Sequence, residues 1–186
     1  MFDNFNPVAE WPLTVVTDRL IIQGTALTRV KRLTDLINDP NLDYLVLQDA
    51  TFTEVGSHRV VVSGGMGQIR LSDVLLVHST ASTNSNSNMR MPKQPIKATL
   101  MIPPFTVEGT IYLPYESQIR VALDGYTEKF VPVTQARYWA ASVDEAPVSV
   151  DLLVVNHARA HVSVAADVEW SGEQEPNVEE GGQNPW

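Results

Sequence analysis

The sequence reads Leu20-Ile-Ile-Gln-Gly-Thr-Ala-Leu27 in its first half and Phe105-Thr-Val-Glu-Gly-Thr-Ile-Tyr112 in its second. Each stretch is followed by another matching one, Tyr44-Leu-Val-Leu-Gln-Asp-Ala-Thr-Phe52 and Phe130-Val-Pro-Val-Thr-Gln-Ala-Arg-Tyr138. The two central glycines lie 85 residues apart, and the two alanines of the second pair lie 86 apart. A nearly constant offset over separate matches predicts a tandem duplication of one small unit.

The unit is rich in β-strands, because short runs of β-branched and aromatic residues alternate with turn residues through both halves. Residues 29–38 instead place apolar side chains at a helical period, and Asn38-Asp-Pro-Asn41 ends that segment. Residues 116–123 are predicted to form the corresponding helix of the second half. An antiparallel meander with one short helix closes into a small barrel or roll. We therefore predict a mainly β protein with short helices, built as two tandem small antiparallel β barrels or rolls.

Three further predictions concern individual strands. Val74-Leu-Leu-Val-His78 resembles Leu153-Val-Val-Asn-His157 at a shorter offset of 79, which predicts that these strands correspond and that loop lengths differ. Gly24 and Gly109 lie inside strands, where glycine marks a bulge or a close backbone approach. Asp49 is expected in a hairpin turn.

The composition divides the chain into five segments. Residues 1–12 are an N-terminal arm, 13–80 the first β unit, 81–96 a Ser/Asn-rich linker, 97–170 the second β unit and 171–186 an acidic tail. The tail offers too little apolar surface to offset the entropy of ordering and is expected to be disordered. Two units of this size are small for independent stability, so we expect them to pack on each other.

The charge and the absence of cysteine exclude several classes of protein. The chain of 186 residues carries a net charge of −9, so generic nucleic-acid binding is disfavoured. It contains no cysteine, which excludes disulfides, thiolate zinc sites and cysteine nucleophiles. No apolar run approaches the roughly 20 residues that span a bilayer, and no secretory signal is visible. We predict no membrane insertion and a cytoplasmic location.

Motifs of catalysis and of metal or cofactor binding are not recognisable in the sequence. His157 and His161 are four residues apart, but strand-like segments flank them, so the spacing does not indicate a shared helical face. The run Ser63-Gly-Gly-Met-Gly67 has neither the context of a nucleophile elbow nor that of a phosphate-binding loop. We predict no metal and no cofactor, and an enzyme is the less favoured class.

The stretch Arg32-Leu-Thr-Asp-Leu-Ile-Asn38, followed by Tyr44-Leu-Val-Leu-Gln-Asp-Ala50, resembles a small bacterial domain family of unknown function. Its members carry a similar helix and strand, sometimes in tandem. The resemblance covers residues 15–80 and, more weakly, 98–165, where the charged residues of the helix are not retained. It implies a fold and a tandem arrangement, and no activity.

Three hypotheses for function remain. The first is a non-enzymatic binding or assembly module that joins a protein partner or a second copy, with an interaction surface comprising Arg29, Arg32, Asp35, Trp11 and Trp186. The second is a small-molecule sensor or enzyme with a site between the two units. Repeat symmetry would assemble that site from Arg70, Asp73, His78, Arg120, Asp151 and His157. The third is a structural protein of a virion, filament or surface layer.

Overall fold

The computed structural model describes residues 8–80, 93–114, 121, 127–141 and 146–164. The strands are β1 (Ala9–Val16), β2 (Leu20–Thr28), β3 (Tyr44–Glu54), β4 (Val60–Ser63), β5 (Met66–Arg70), β6 (Leu76–Ser79), β7 (Lys93–Ile102), β8 (Phe105–Pro114), β9 (Phe130–Ala140), β10 (Val148–Asn156) and β11 (His161–Val164). The helix α1 (Leu33–Ile37) follows β2, and a 3₁₀ helix (His157–Arg159) follows β10.

The 11 strands of the described residues belong to one antiparallel sheet. Their order is β11-β7-β8-β9-β10-β6-β1-β2-β3-β4, and β5 also pairs with β3. The prediction of a mainly β, antiparallel protein is therefore confirmed. Within the described residues the sheet does not close on itself, since β11 and β4 stand at its two ends.

The strand registers of the C-terminal half (residues 93–164) repeat those of the N-terminal half (residues 8–80). Val16 lies opposite Leu76 in the β1–β6 pair, and Met101, 85 residues later, lies opposite His161 in the β7–β11 pair. The β1–β2 and β7–β8 pairs agree in the same way, as do β2–β3 and β8–β9. β4 and β5 together occupy the positions along β3 that β10 alone occupies along β9.

This register corrects one predicted correspondence. β6 contains most of Val74–His78 and pairs with the first strand of its half, as β11 does. Leu153–His157 lies mainly in β10, whose counterpart is β4 with β5. The two stretches look alike because both are buried on two faces and are therefore apolar without alternation.

Two hydrophobic clusters form the core, one on each face of the central strands. Val77 and Val154, which lie opposite each other in the β6–β10 pair, belong to the cluster that β1, β2, β3, β5 and α1 surround. Their neighbours Leu76 and Val155, also opposite each other, belong to the cluster of β7, β8 and β9. The two halves therefore share their central strands, which agrees with the expectation that they pack on each other.

Both halves have a β-bulge at the predicted glycine, and the N-terminal half has a further register shift between Phe52 and Thr53 in the β3–β4 pair. The register shifts between Gln23 and Thr25 in β2 and between Glu108 and Thr110 in β8. On the partner strand, one residue of each bulge takes a left-handed conformation, with φ of 50° at Asp49 and 49° at Gln135. Asp49 thus lies inside β3, where a short polar side chain tolerates this conformation, and the predicted hairpin turn is wrong.

The glycines themselves are required by close packing. A Cβ atom on Gly24 would lie 2.8 Å from the Gln48 carbonyl oxygen. A Cβ atom on Gly109 would lie 2.5 Å from Val133 Cγ1 and 3.0 Å from the Thr134 carbonyl oxygen. No side chain fits at either position without a shift of the neighbouring strand.

Several predicted boundaries move. β1 begins at Ala9, inside the predicted arm (1–12), and β7 begins at Lys93, inside the predicted linker (81–96). The helix is shorter than the predicted 29–38, and within it Leu33 and Ile37 are buried. The predicted helix at 116–123, apart from Val121, and the tail at 171–186 lie outside the described residues.

Candidate functional site

The predicted inter-unit site is divided between two grooves. His78 and Asp151 line a groove of about 770 Å³ along β6, β9 and β10. Arg70 and Asp73 line another of about 420 Å³, next to the β1–β2 turn. His157 lies at the start of the 3₁₀ helix, where its Nδ1 is 3.2 Å from the Glu128 carbonyl oxygen. Arg120 lies outside the described residues.

His78 is a buried histidine that joins the two halves. Its Nε2 lies 3.2 Å from the hydroxyl oxygen of Tyr138, and the two ring centroids are 5.9 Å apart. Burial lowers the pKa of His78, an effect that a hydrogen bond with the Ser79 backbone opposes in part. Burial also raises the pKa of Tyr138 to about 12. Both groups are therefore neutral at physiological pH, and the pair is a packed hydrogen bond between strands.

Three of the residues predicted as an interaction surface are exposed, and Trp11 is not fully so. Arg29, Arg32 and Asp35 lie on the surface around α1, and in the described part of the chain no ion pair joins Arg32 to Asp35. Trp11 is half-buried against the N-terminal cluster, opposite Ala26 of β2. Trp186 lies outside the described residues.

A third groove, of about 580 Å³, lies where α1 meets the beginning of β9. Asn38, directly after α1, hydrogen-bonds to the backbone of Phe130 across this boundary. Charged side chains of both signs line the mouth, among them Asp43, Arg70 and Lys129. The Arg70 guanidinium lies over the Tyr44 ring, 5.8 Å from its centroid.

Several exposed apolar side chains lie together at the β4 end of the sheet, which the sequence did not single out. Val60, Val61 and Val62 are 56%, 50% and 53% exposed, and Met66 at the start of β5 is 76% exposed. The run of three valines and Ser63 before Gly64 and Gly65 is typical of a strand and a turn. Their edge position depends on strand order, which a single sequence does not reveal.

The β4 edge is also nearly free of charge. From Val55 to Ile69 the sequence contains no Asp, Glu or Lys and a single Arg, Arg59. Its guanidinium lies 2.7 Å from a carboxylate oxygen of Glu54. A strand that pairs with this edge would therefore meet few charged side chains on β4.

Within the described residues, no group of three or more His, Cys, Asp or Glu side chains could hold a metal ion. In the same part of the chain, the structure contains no helix of the length and apolarity needed to cross a membrane.

Comparison with protein-family models, with curated proteins and with solved structures gave no match. The resemblance to a small bacterial domain family therefore stays a prediction.

Proposed function

We propose that the protein is a non-enzymatic assembly module, a subunit of a larger complex, that associates through the open ends of its sheet. The observation that carries this proposal is the edge strand β4, whose three valines are about half exposed on a strand with no outer partner among the described residues. An edge strand presents unpaired backbone N–H and C=O groups that another strand can bind.

Fully burying a valine side chain contributes on the order of 1.5–3 kcal/mol, so burying the exposed half of each of three contributes about 1 kcal/mol apiece. Met66 adds further area. Backbone hydrogen bonds to the added strand supply direction and register.

The repeated registers support a further proposal, that the chain arose by tandem duplication of one unit that forms an open roll. Under this proposal the units correspond to the predicted segments 13–80 and 97–170, with β7 extending the second unit back to Lys93. Among the described residues the copies differ where β10 is one continuous strand, while its counterpart is interrupted at Gly64 and Gly65 into β4 and β5. A function specific to one copy belongs at such a difference, and this is the exposed end of the sheet.

The test is sedimentation velocity and native mass spectrometry on the full chain over a range of concentrations, together with affinity capture. Val61→Lys places a charge on the β4 edge, and Val148→Lys, at a valine that is 44% exposed on β10, is the matched control. We expect the chain to associate with itself or with a partner, and we expect Val61→Lys to weaken any contact that β4 makes while Val148→Lys leaves it intact. A chain that stays monomeric at all concentrations and captures no partner overturns the proposal.

A further inference from the structure

The two halves are joined by a contact between unlike strands. β10, the fourth strand of its half, pairs with β6, the last strand of the other half, with Val154 opposite Val77 and Val155 opposite Leu76. Because the two sides of this junction are different surfaces, it is a heterologous contact, and each half uses only one of them. The other surface of each half is left over at an end of the sheet.

The two strand edges left over, on β5 and on β11, correspond to the two sides of the β10–β6 junction. The N-terminal half retains β5, which matches the β10 residues that join the halves, and within the described residues β5 pairs only with β3. The C-terminal half retains β11, the counterpart of β6, which in the same part of the chain pairs only with β7. A second copy can therefore bring its β11 to the β5 of the first.

A groove beside β5 marks where such a copy would sit. Leu20, Ile22, Phe52 and Ile69 form its apolar floor, in a volume of about 420 Å³. Leu20 and Phe52 are only half-buried. In the C-terminal half the residues at the corresponding register positions are Phe105, Val107, Tyr138 and Val155, and all four are buried in one cluster.

Three residues of the N-terminal half complete that cluster across the junction. Val16, Leu75 and Leu76 are fully buried within it. Their counterparts in the C-terminal half are Met101, Ala160 and His161, which lie at the β11 end of the sheet. Met101 is 45% exposed, whereas Val16 is fully buried. The side chains that would fill the groove are thus the ones left uncovered at the opposite end.

We propose, as a refinement that rests on the assembly function above, that copies of this chain join head to tail by repeating the internal β10–β6 junction. The β11 strand of one copy pairs with β5 of the next, with Val162 opposite Gln68 and His161 opposite Ile69. Met101 and Ala160 enter the apolar groove. Arg19, Arg70 and Arg159, with Asp18 and Asp73, surround this groove. A heterologous contact of this kind produces a ring or an open filament.

Because the natural chain contains no cysteine, single introduced cysteines test the register directly. Gln68→Cys and Val162→Cys are mixed at equal concentration under oxidising conditions. Directly opposed residues on antiparallel strands have Cα atoms about 4.5–5.5 Å apart, a separation that a disulfide can span. The matched controls are Gln68→Cys mixed with Val148→Cys, and Val61→Cys alone. Circular dichroism establishes that each variant is folded.

We expect a disulfide-linked heterodimer from Gln68→Cys with Val162→Cys, formed several-fold more than in either control. Met101→Lys in the Val162→Cys chain should abolish it. Equal cross-linking in all mixtures, or none at concentrations where the chain associates, overturns the head-to-tail register while leaving the assembly function intact. Preferential cross-linking of Val61→Cys to itself indicates a two-fold contact between β4 strands and also overturns it. A chain that is monomeric throughout overturns the head-to-tail proposal, and it overturns the assembly function as well if the chain also captures no partner.

Discussion

The side chain of Asn38 is held in two hydrogen bonds by the backbone of Phe130. Asn38 Nδ2 donates to the Phe130 carbonyl oxygen at 2.8 Å, and the Phe130 backbone N–H donates to Asn38 Oδ1 at 2.9 Å. The Asn38 side-chain amide thus pairs with both the N–H and the carbonyl of the first residue of β9, as the backbone of a neighbouring strand would. Because Asn38 directly follows α1, this contact fixes the N-terminal half against the ring of Phe130, which is buried in the N-terminal cluster.

Asn38→Ala should therefore destabilise the protein. A hydrogen bond contributes about 1 kcal/mol net, so the loss of two should lower the free energy of unfolding by about 2 kcal/mol. Urea denaturation measures this change. The control is Asn41→Ala, which removes only an exposed, local hydrogen bond to Asp39. The prediction is contradicted if the two substitutions cost the same.

The bulge glycines give a second prediction. Gly24→Ala and Gly109→Ala should each lower the free energy of unfolding by about 1–3 kcal/mol, because the added methyl group overlaps the partner strand and forces it to shift. Thermal unfolding followed by circular dichroism measures the loss. Thr106→Ala, at a half-buried position in β8, should change stability much less. A glycine variant as stable as the natural chain would show that the bulge relaxes freely.

These glycines also show what the sequence could reveal about the fold. Gly24 and Gly109 were predictable as bulges, because glycine within a β-branched run has few other physical reasons. The left-handed residues opposite them, Asp49 and Gln135, were not. A glutamine carries no conformational signal of this kind, and the conformation follows from the extra residue in the bulge.

The predicted correspondence between the last strands of the two halves was wrong for a different reason. Val74–His78 and Leu153–His157 resemble each other because central strands with a cluster on each face need apolar side chains at successive positions. Burial therefore produced a similarity that the strand register does not support. The exposure of the β4 valines could not be predicted for the same reason, because an apolar run has the same sequence pattern in the centre and at the edge of a sheet.

The His78–Tyr138 pair predicts that stability decreases in acid and in alkali. Burial holds the pKa of His78 below its ordinary 6.5, so the unfolded chain binds more protons than the folded one as the pH falls below that value. Stability from this group is therefore complete above pH 6.5 and is lost as the pH falls through the folded pKa. His78→Gln should remove this acid dependence.

The alkaline side has the opposite sign. Tyr138 ionises near pH 10.0 in the unfolded chain but at about 12 in the folded protein, so stability is lost as the pH rises between these values. The loss should reach about 2 kcal/mol by the upper value. Urea denaturation at a series of pH values measures both limbs. Tyr138→Phe should remove the alkaline decrease, whereas Tyr44→Phe, at a tyrosine exposed on β3, should retain it. The same alkaline slope in both variants would contradict the assignment.

The shared central strands predict that both halves unfold together. Leu76 lies in the N-terminal half but is fully buried in the cluster of the C-terminal half. Leu76→Ala should therefore cost about 2–5 kcal/mol, and the loss should be felt by both clusters. Two reporters are available, because Trp11 packs against the N-terminal cluster and Trp139 lies in β9. Variants that keep one of these two tryptophans and replace the other three of the chain's four should give coincident urea transitions, both before and after Leu76→Ala. A lower midpoint at Trp139 than at Trp11 would mean that the junction does not couple the halves. Such a result would also weaken the head-to-tail proposal, because a contact too weak to couple two halves of one chain could not join two separate chains.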